Sequence, residues 1–200
     1  MTETVESTYR DLPIQTCKTR NLAVYVEILD SMYTQITNLL SWHSRITVVR
    51  IDLHLPGKSN YCPKLENSQV SDYLKMVKCN LALKKWGGHK RVAYGWVREV
   101  CKSGHGHYHL YIAFKSTYRR LGAISGNGLT GLWYLLQRCW KSTTGGRISI
   151  SNAHTVKRRD QGSLANCFHH LSYLAKTRSK DFGTKATHKR YSGSRLTPNQ

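Results

Sequence analysis

The chain has 200 residues, a length that suits a single domain with one modest hydrophobic core. Hydrophobic residues make up 40% of the sequence, which excludes a wholly disordered chain. Lysine and arginine number 31 and aspartate and glutamate only 11, so the formal net charge is +20. A positive surplus of this size predicts a polyanionic partner: DNA, RNA or an anionic membrane surface.

Membrane insertion, secretion and disulfide bonding are all unexpected for this chain. No apolar run approaches the roughly 20 residues that a membrane-spanning helix needs, and the polar start MTETVESTYR is unlike a secretory signal. The six cysteines lie far apart without a C-x-x-C pair, a spacing that suits neither a disulfide framework nor a zinc knuckle. We therefore expect reduced thiols and a cytoplasmic location.

Hydrophobic periodicity and turn residues predict one folded domain between two tails. Residues 1–17 are predicted to form a flexible N-terminal tail, residues 18–185 the domain, and residues 186–200 a basic C-terminal tail. Apolar residues at three- and four-residue steps predict helices, and short β-branched runs bounded by glycine or proline predict strands. In chain order these are a helix at 18–42, a strand at 45–55, a helix at 68–86, strands at 91–100 and 107–114, a helix at 128–141, a strand at 145–156 and a helix at 164–178.

The connection CKSGHG joins the strands at 91–100 and 107–114. It is short and contains glycine, so it predicts a β-hairpin. The remaining helices and strands follow one another without a repeat. This order predicts an α+β fold, in which a mostly antiparallel central sheet carries the hairpin and the helices pack on the sheet.

His107-Tyr108-His109, in the second hairpin strand, is a candidate metal-binding pair. Residues two apart in a strand point to the same face, so both imidazoles are expected to project side by side. Folding the hairpin brings Glu99, on the first strand, near these histidines. One carboxylate and two imidazoles with open positions suit Mg²⁺ or Mn²⁺, with zinc as an alternative. The competing interpretation is a surface hairpin whose histidines line a polar face.

Tyr173 and Lys176 are three residues apart in the last predicted helix and therefore share one of its faces. A phenol, with an ordinary pKa of about 10, attacks poorly unless a cation stabilises the charge that develops. Lys176 and His170 are the candidates for that help. The competing interpretation is that Tyr173 is an ordinary packed residue of an amphipathic helix.

Asp52 lies inside the predicted strand at 45–55. A carboxylate on a strand that packs against a core is costly unless it is paired or binds a metal, which makes Asp52 a candidate supporting residue of a site. The alternatives are a solvent-facing position or a simple ion pair with one of the many cationic side chains.

Basic residues are concentrated around the last predicted helix. Such a run is often a solvated face, but beside a metal site and a tyrosine it predicts a groove for a phosphate backbone. The candidate DNA-binding residues are Lys157, Arg158, Arg159, Arg178 and Lys180.

These motifs occur in a familiar order: SRITVVRIDLHL at 44–55, VREV and HYHLYI within 97–112, and SYLAKTRSK followed by FGT within 172–184. The chain resembles the HUH (His-hydrophobic-His) endonucleases, which initiate rolling-circle replication. It is most similar to the inovirus gene-2-type replication proteins, also described as the YagK/YfjJ C-terminal domain family. The resemblance extends over residues 42–185.

The resemblance implies a single HUH endonuclease-like domain with an RRM-like palm. It also implies roles for the residues at the matching motif positions: the metal ligands His107, His109 and Glu99, the nucleophile Tyr173, the motif lysine Lys176, and an acidic first-strand position at Asp52.

The implied activity is strand-specific nicking of single-stranded or origin DNA, with Mg²⁺ or Mn²⁺ as cofactor. Tyrosine transesterification would give a 5′-phosphotyrosine intermediate and a free 3′-hydroxyl that primes replication, and the reverse attack would rejoin the strand. A host helicase and polymerase in the bacterial cytoplasm are the implied partners, with no membrane and no small-molecule substrate. Two alternatives stay open: a non-catalytic nucleic-acid-binding module or regulator of the same fold, and a protein with a structural metal site.

Overall fold

A five-stranded antiparallel sheet forms the centre of the computed structural model, which describes residues 1–17, 19, 22–57, 62–100, 106–117, 121–126, 128–178 and 189–199. The elements in chain order are β1 (Glu3–Thr4), β2 (Thr8–Tyr9), β3 (Leu12–Pro13), β4 (Val24–Tyr25), α1 (Val26–Trp42), β5 (Arg45–His54), α2 (Pro63–Leu81), β6 (Val92–Val100), β7 (Gly106–Lys115), β8 (Ile124–Ser125), β9 (Gly128–Leu129), α3 (Gly131–Thr144), β10 (Arg147–Lys157), α4 (Gln161–Ser172) and β11 (Tyr191–Gly193). Single 3₁₀ turns follow α2 at Lys84–Trp86 and α4 at Tyr173–Ala175.

The strand order of the central sheet is β10-β5-β7-β6-β11, and every neighbouring pair is antiparallel. The β6–β7 pair places Glu99 opposite His107, as the predicted hairpin requires. The predicted α+β class, with helices packed on an antiparallel sheet, is therefore confirmed.

The helices differ from their predicted bounds at their ends. The first begins at Val26 rather than at residue 18, because Val24 and Tyr25 pair with β1 as a short strand. The second begins at Pro63. A proline at the start of a helix costs no hydrogen bond, because a backbone N–H in the first turn has no partner within the helix. The last begins at Gln161 because the Asp160 side chain accepts a hydrogen bond from the Ser163 amide and caps the helix.

Both faces of the sheet are buried, and β5 shows why. Val49, Ile51 and Leu53 face the core beneath α2 and α3, whereas Ile46 and Val48 face the core beneath α1 and α4. On that second face the apolar alternation stops after Val48, and the following positions on the same face are polar. We call the sheet face beneath α1 and α4 the α1/α4 face. Polar side chains occupy the end of this face that lies beyond Val48.

The N-terminal segment differs from the predicted flexible tail. Its β1 strand pairs with β4, β2 pairs with β3, and Leu12 and Ile14 are both buried in the core under α4. The amide of Gln15 donates to the hydroxyl of Ser172 across 2.8 Å. The burial of Leu12 and Ile14 and this hydrogen bond dock the segment against α4.

The described part of the C-terminal segment, residues 189–199, also packs against the domain. Tyr191–Gly193 adds the edge strand beside β6. The indole N–H of Trp42 donates to the carbonyl of Thr197 across 2.9 Å. The first residues of the predicted basic tail, 186–188, lie outside the described residues.

A buried ion pair fastens α2 to β6. The guanidinium of Arg98 donates through Nε and Nη2 to Glu66 Oε2, at 3.1 and 2.7 Å, and both side chains are almost fully buried.

Within the ranges given above, no helix combines the length and the apolar character that crossing a bilayer requires.

Candidate active site

Glu99, His107 and His109 converge at the polar end of the α1/α4 face. Glu99 Oε2 lies 3.5 Å from His107 Nε2 and 3.4 Å from His109 Nε2. The ligand-type atoms of these three residues all lie within 4.8 Å of one another. The hairpin register causes this convergence, because it sets Glu99 opposite His107 and because His109 is two residues further along the same face.

This donor set fits a divalent metal ion. Glu99 and His109 are 3% and 5% exposed, so neither interacts freely with solvent. The Nε2 atom of His109 is buried and has no hydrogen-bond partner among the residues that the structure describes. A buried nitrogen left in this way costs about 1–3 kcal/mol, and a cation would satisfy it. One carboxylate oxygen and two imidazole nitrogens suit Mn²⁺ or zinc, and with further oxygen ligands Mg²⁺.

Asp52 lies directly across the β5–β7 ladder from His109 and is hydrogen-bonded to it, with 2.5 Å between Oδ1 and Nδ1. With Nδ1 hydrogen-bonded to Asp52, Nε2 is the nitrogen of His109 that is placed to bind a metal beside Glu99. Burial alone would raise the pKa of Asp52, but the hydrogen bond and charge of His109 outweigh it and lower that pKa. Asp52 is therefore a carboxylate that orients the imidazole.

Tyr173 and Lys176 stand beside this triad. Lys176 Nζ donates to the Tyr173 hydroxyl across 2.6 Å and lies 3.4 Å from Glu99 Oε1. The ring of Tyr173 meets that of His109 edge to face, with 5.8 Å between centroids. The lysine thus bridges the phenol to the carboxylate of the triad, and the structure brings the two predicted constellations together.

The local backbone around Tyr173 differs from the predicted continuous helix at 164–178. Helix α4 ends at Ser172, Tyr173 opens a 3₁₀ turn, and Lys176 follows that turn in an extended conformation. Side chains three residues apart nearly eclipse one another in a 3₁₀ turn, so the phenol and the ammonium still meet.

Arg50 is a site residue that the sequence analysis missed. Its guanidinium lies over the Tyr173 ring at 4.6 Å, and Nη1 donates to the carbonyl of His170 across 3.3 Å. The side chain is 9% exposed, and burial lowers its pKa despite the nearby charge of Asp52. The available signal was spacing, because Arg50 lies two residues before Asp52 on a strand and must share its face.

His54 is the second missed residue, and the same alternation along β5 places it next to Asp52. Its Nε2 lies 3.0 Å from the hydroxyl of Ser149, and its ring is parallel to that of His107 with 6.4 Å between centroids. Burial lowers the pKa of His54, and the charge of Arg147 lowers it further. His54 therefore extends the row of imidazoles outward from the triad.

His170 lies elsewhere than the sequence analysis expected. Its Nδ1 is 2.9 Å from His154 Nε2, so the imidazole faces β10 rather than assisting the phenol of Tyr173. Only its backbone carbonyl takes part in the site, through Arg50. The spacing of three residues from Tyr173 put both on one face of a helix, but α4 ends between them.

The predicted DNA-binding residues fall into separate groups. Lys157, the last residue of β10, and Arg159, in the turn before α4, are both exposed. The guanidinium of Arg158 instead donates to the carbonyls of Leu40 and Ser41, at 2.7 and 3.0 Å, and so holds the end of α1. Arg178 is exposed just beyond Lys176, and Lys180 lies outside the described residues.

Comparisons with known proteins give the family to which the chain belongs. The chain is 25% identical over 183 residues to the uncharacterized protein YfjJ of Escherichia coli (strain K12), covering 77% of this chain and 88% of that protein. It is 27% identical over 174 residues to the uncharacterized protein YagK of the same organism, covering 72% and 82%. No solved structure matches the chain. The model of the YagK/YfjJ C-terminal domain matches residues 4–191, and the chain therefore belongs to that family.

Proposed function

We propose that this protein nicks and rejoins single-stranded DNA through a tyrosine transesterification, and that it initiates rolling-circle replication in this way. The observation that carries the proposal is the position of the Tyr173 hydroxyl, which Lys176 links to Glu99 of the candidate metal triad. A nucleophile beside a cation and a triad of metal-ligand type is the arrangement that phosphoryl transfer requires.

In the proposed reaction the Tyr173 oxygen attacks the phosphorus of a phosphodiester. A tyrosine O–P bond forms and the P–O3′ bond breaks, which leaves a 5′-phosphotyrosine and a 3′-hydroxyl. The phenol proton leaves to water, and the departing 3′ oxygen takes up a proton. Rejoining is the reverse attack by the 3′-hydroxyl, and it needs no nucleotide cofactor because the phosphotyrosine retains a phosphodiester bond.

The cationic side chains around the phenol would stabilise the developing negative charge. Lys176 donates directly to the reacting oxygen, and Arg50 covers the ring from a largely desolvated position. Charges fixed in advance in a site with little water are effective, because they need little reorganisation during the reaction. We assign Lys176 to the phenolate and Arg50 to holding the ring of Tyr173.

Glu99, His107 and His109 would hold the metal, and Asp52 would orient His109. When bound there, Mg²⁺ or Mn²⁺ supplies a Lewis acid that polarises a phosphoryl oxygen. The hairpin in an antiparallel sheet, with helices on both faces, supports the proposed likeness to the HUH palm. The net charge of +20 supports DNA as the substrate, with a host helicase and polymerase as partners.

The test uses labelled single-stranded oligonucleotides that tile the DNA next to the protein's own gene, incubated with the full chain and Mn²⁺. We expect a covalent protein–DNA adduct for the wild type and for Tyr134→Phe, an exposed tyrosine of α3, and none for Tyr173→Phe. Adduct formation by Tyr173→Phe at the wild-type rate would overturn the assignment.

A non-catalytic nucleic-acid-binding module gives a different result in the same assay. It binds the oligonucleotides in a salt-sensitive manner, forms no adduct with any of them, and binds equally well after His107→Ala.

A further inference from the structure

A cavity of about 510 Å³ opens next to Tyr173, which is one of its lining residues. Residues 14–16 and 22–23 of the N-terminal segment form one wall, and His169, Tyr173, Lys176 and Arg178 form the other. We call this cavity the arm pocket. Its volume falls within the range of about 300–1,000 Å³ that is typical of small-ligand sites.

Hydrogen bonds from backbone amides hold in place the wall that residues 14–16 and 22–23 form. The amide of Gln15 donates to the Ser172 hydroxyl across 2.8 Å, and the amide of Thr177 donates to the carbonyl of Ala23 across 2.9 Å. Cys17 and Leu22 exchange a pair of backbone hydrogen bonds, at 3.2 and 2.9 Å. The arm pocket is therefore built by contacts to the segment that carries Tyr173, so its wall and the phenol keep a fixed relation.

The lining of the arm pocket combines two kinds of surface. Ile14, Leu22 and Ala23 offer aliphatic contacts, and the imidazole of His169 offers a flat ring. Lys176 and Arg178 supply positive charge at the same cavity. An aliphatic and aromatic wall beside two cations matches a nucleotide, whose base has apolar faces and whose phosphate is an anion.

We infer that the arm pocket binds one unstacked base of single-stranded DNA next to the phosphate that Tyr173 attacks. The inference rests on the proposed nicking activity and deepens it, because it assigns a base-binding subsite to the N-terminal segment. Lys176 donates to the phenol oxygen and also lines the pocket, so a base held there is close to the phosphate that Tyr173 attacks.

The test compares two fluorescent probes, a dT 15-mer and a 15-mer of abasic sites, by fluorescence anisotropy with the full chain. We expect the wild type to bind the dT probe about tenfold more tightly, the contribution of one stacked base. Leu22→Trp fills the pocket and should remove that preference while leaving the affinity for the abasic probe unchanged. Leu65→Trp, the same change at an exposed leucine of α2, should preserve it.

Two further variants protect the test against misfolding. Thr16→Trp fills the pocket from a different position in the same wall and should reproduce the effect of Leu22→Trp. Arg178→Ala changes an exposed side chain. It should weaken the binding of both probes by the same factor, because phosphate contacts do not depend on the base. Equal affinity of the wild type for both probes, or an equal effect of Leu22→Trp on both, would overturn the inference.

The adduct assay separates this inference from the proposed function. If the wild type forms no adduct but its base preference depends on Leu22, nicking is wrong and the nucleotide-binding pocket stands. If adducts form and Leu22→Trp leaves the half-saturating DNA concentration unchanged, the pocket inference alone fails.

Discussion

Asp52 and His109 are hydrogen-bonded across the β5–β7 ladder, with 2.5 Å between the carboxylate oxygen and the imidazole Nδ1. This contact occupies Nδ1 and leaves Nε2 of His109 as the nitrogen that can bind a metal together with Glu99 and His107. A carboxylate behind a histidine of this kind fixes the ring and raises its basicity as a ligand.

Asp52→Asn should therefore weaken Mn²⁺ binding by about 10- to 100-fold, because an amide orients the imidazole less firmly than a carboxylate. Isothermal titration calorimetry measures the affinity directly. Asp72→Asn, at an exposed aspartate of α2, is the matched control and should bind Mn²⁺ like the wild type. An affinity of Asp52→Asn equal to the wild-type value would show that Asp52 does not act on the triad.

The exposed cations before α4 should contribute to DNA binding without contributing to stability. The logarithm of the binding constant falls with the logarithm of the salt concentration. Lys157→Glu combined with Arg159→Glu should make that slope less steep by about 0.7 for each phosphate contact that is lost. The control makes the same charge changes at Lys84 and Lys85, in the turn after α2. Equal salt slopes for the two double variants would remove this turn from the DNA-binding surface.

The buried Arg98–Glu66 pair and the exposed Arg10–Asp30 pair should differ sharply in their effect on stability. Glu66→Gln removes the charge opposite a buried guanidinium and should lower the free energy of unfolding by about 3–5 kcal/mol. Asp30→Asn acts on an exposed pair, and its neutral side chain still accepts from the hydroxyl of Tyr9, so the loss should be much smaller. Urea denaturation measures both values, and similar losses would contradict the role of the buried pair.

His154 should make the protein less stable in mild acid. Burial lowers the pKa of His154 below its ordinary value of 6.5, and the neighbouring His170 lowers it further. The unfolded chain then binds the proton more readily, so stability falls as the pH drops from about 6.5 toward the folded pKa. Between about pH 7.5 and about pH 5.5, His154→Gln should lose less free energy of unfolding than the wild type. Urea denaturation at each pH measures this free energy. Equal losses for the wild type and for His154→Gln would argue against a role for His154.

The predictable part of the site follows from strand alternation and hairpin pairing. These two rules place Glu99 with His107 and His109 from the sequence alone, because both act over short distances along the chain. Arg50 and His54 obey the same alternation and therefore share the face of Asp52. Because β5 is buried on both faces, the sequence alone does not show that this face is the one that meets the histidines of the hairpin.

Other features depended on tertiary contacts that no local pattern carries. The ends of α4 and the docking of Leu12 and Ile14 belong to this class. Helical periodicity continues past Ser172, so the switch to a 3₁₀ turn at Tyr173 leaves no clear signal in the sequence. The meeting of Tyr173 with the triad joins the 3₁₀ turn after α4 to β6 and β7. These segments are distant along the chain, and local sequence patterns do not predict such contacts.

Peptide mapping of the covalent adduct tests the central claim most directly. Trypsin cleavage after Arg159 and Lys176 releases residues 160–176, a peptide whose single tyrosine is Tyr173. After reaction with a single-stranded oligonucleotide and Mn²⁺, we predict that mass spectrometry finds the nucleotide on this peptide, at Tyr173. A nucleotide attached to any other peptide, or to Ser163 or Ser172 within this one, would contradict the account.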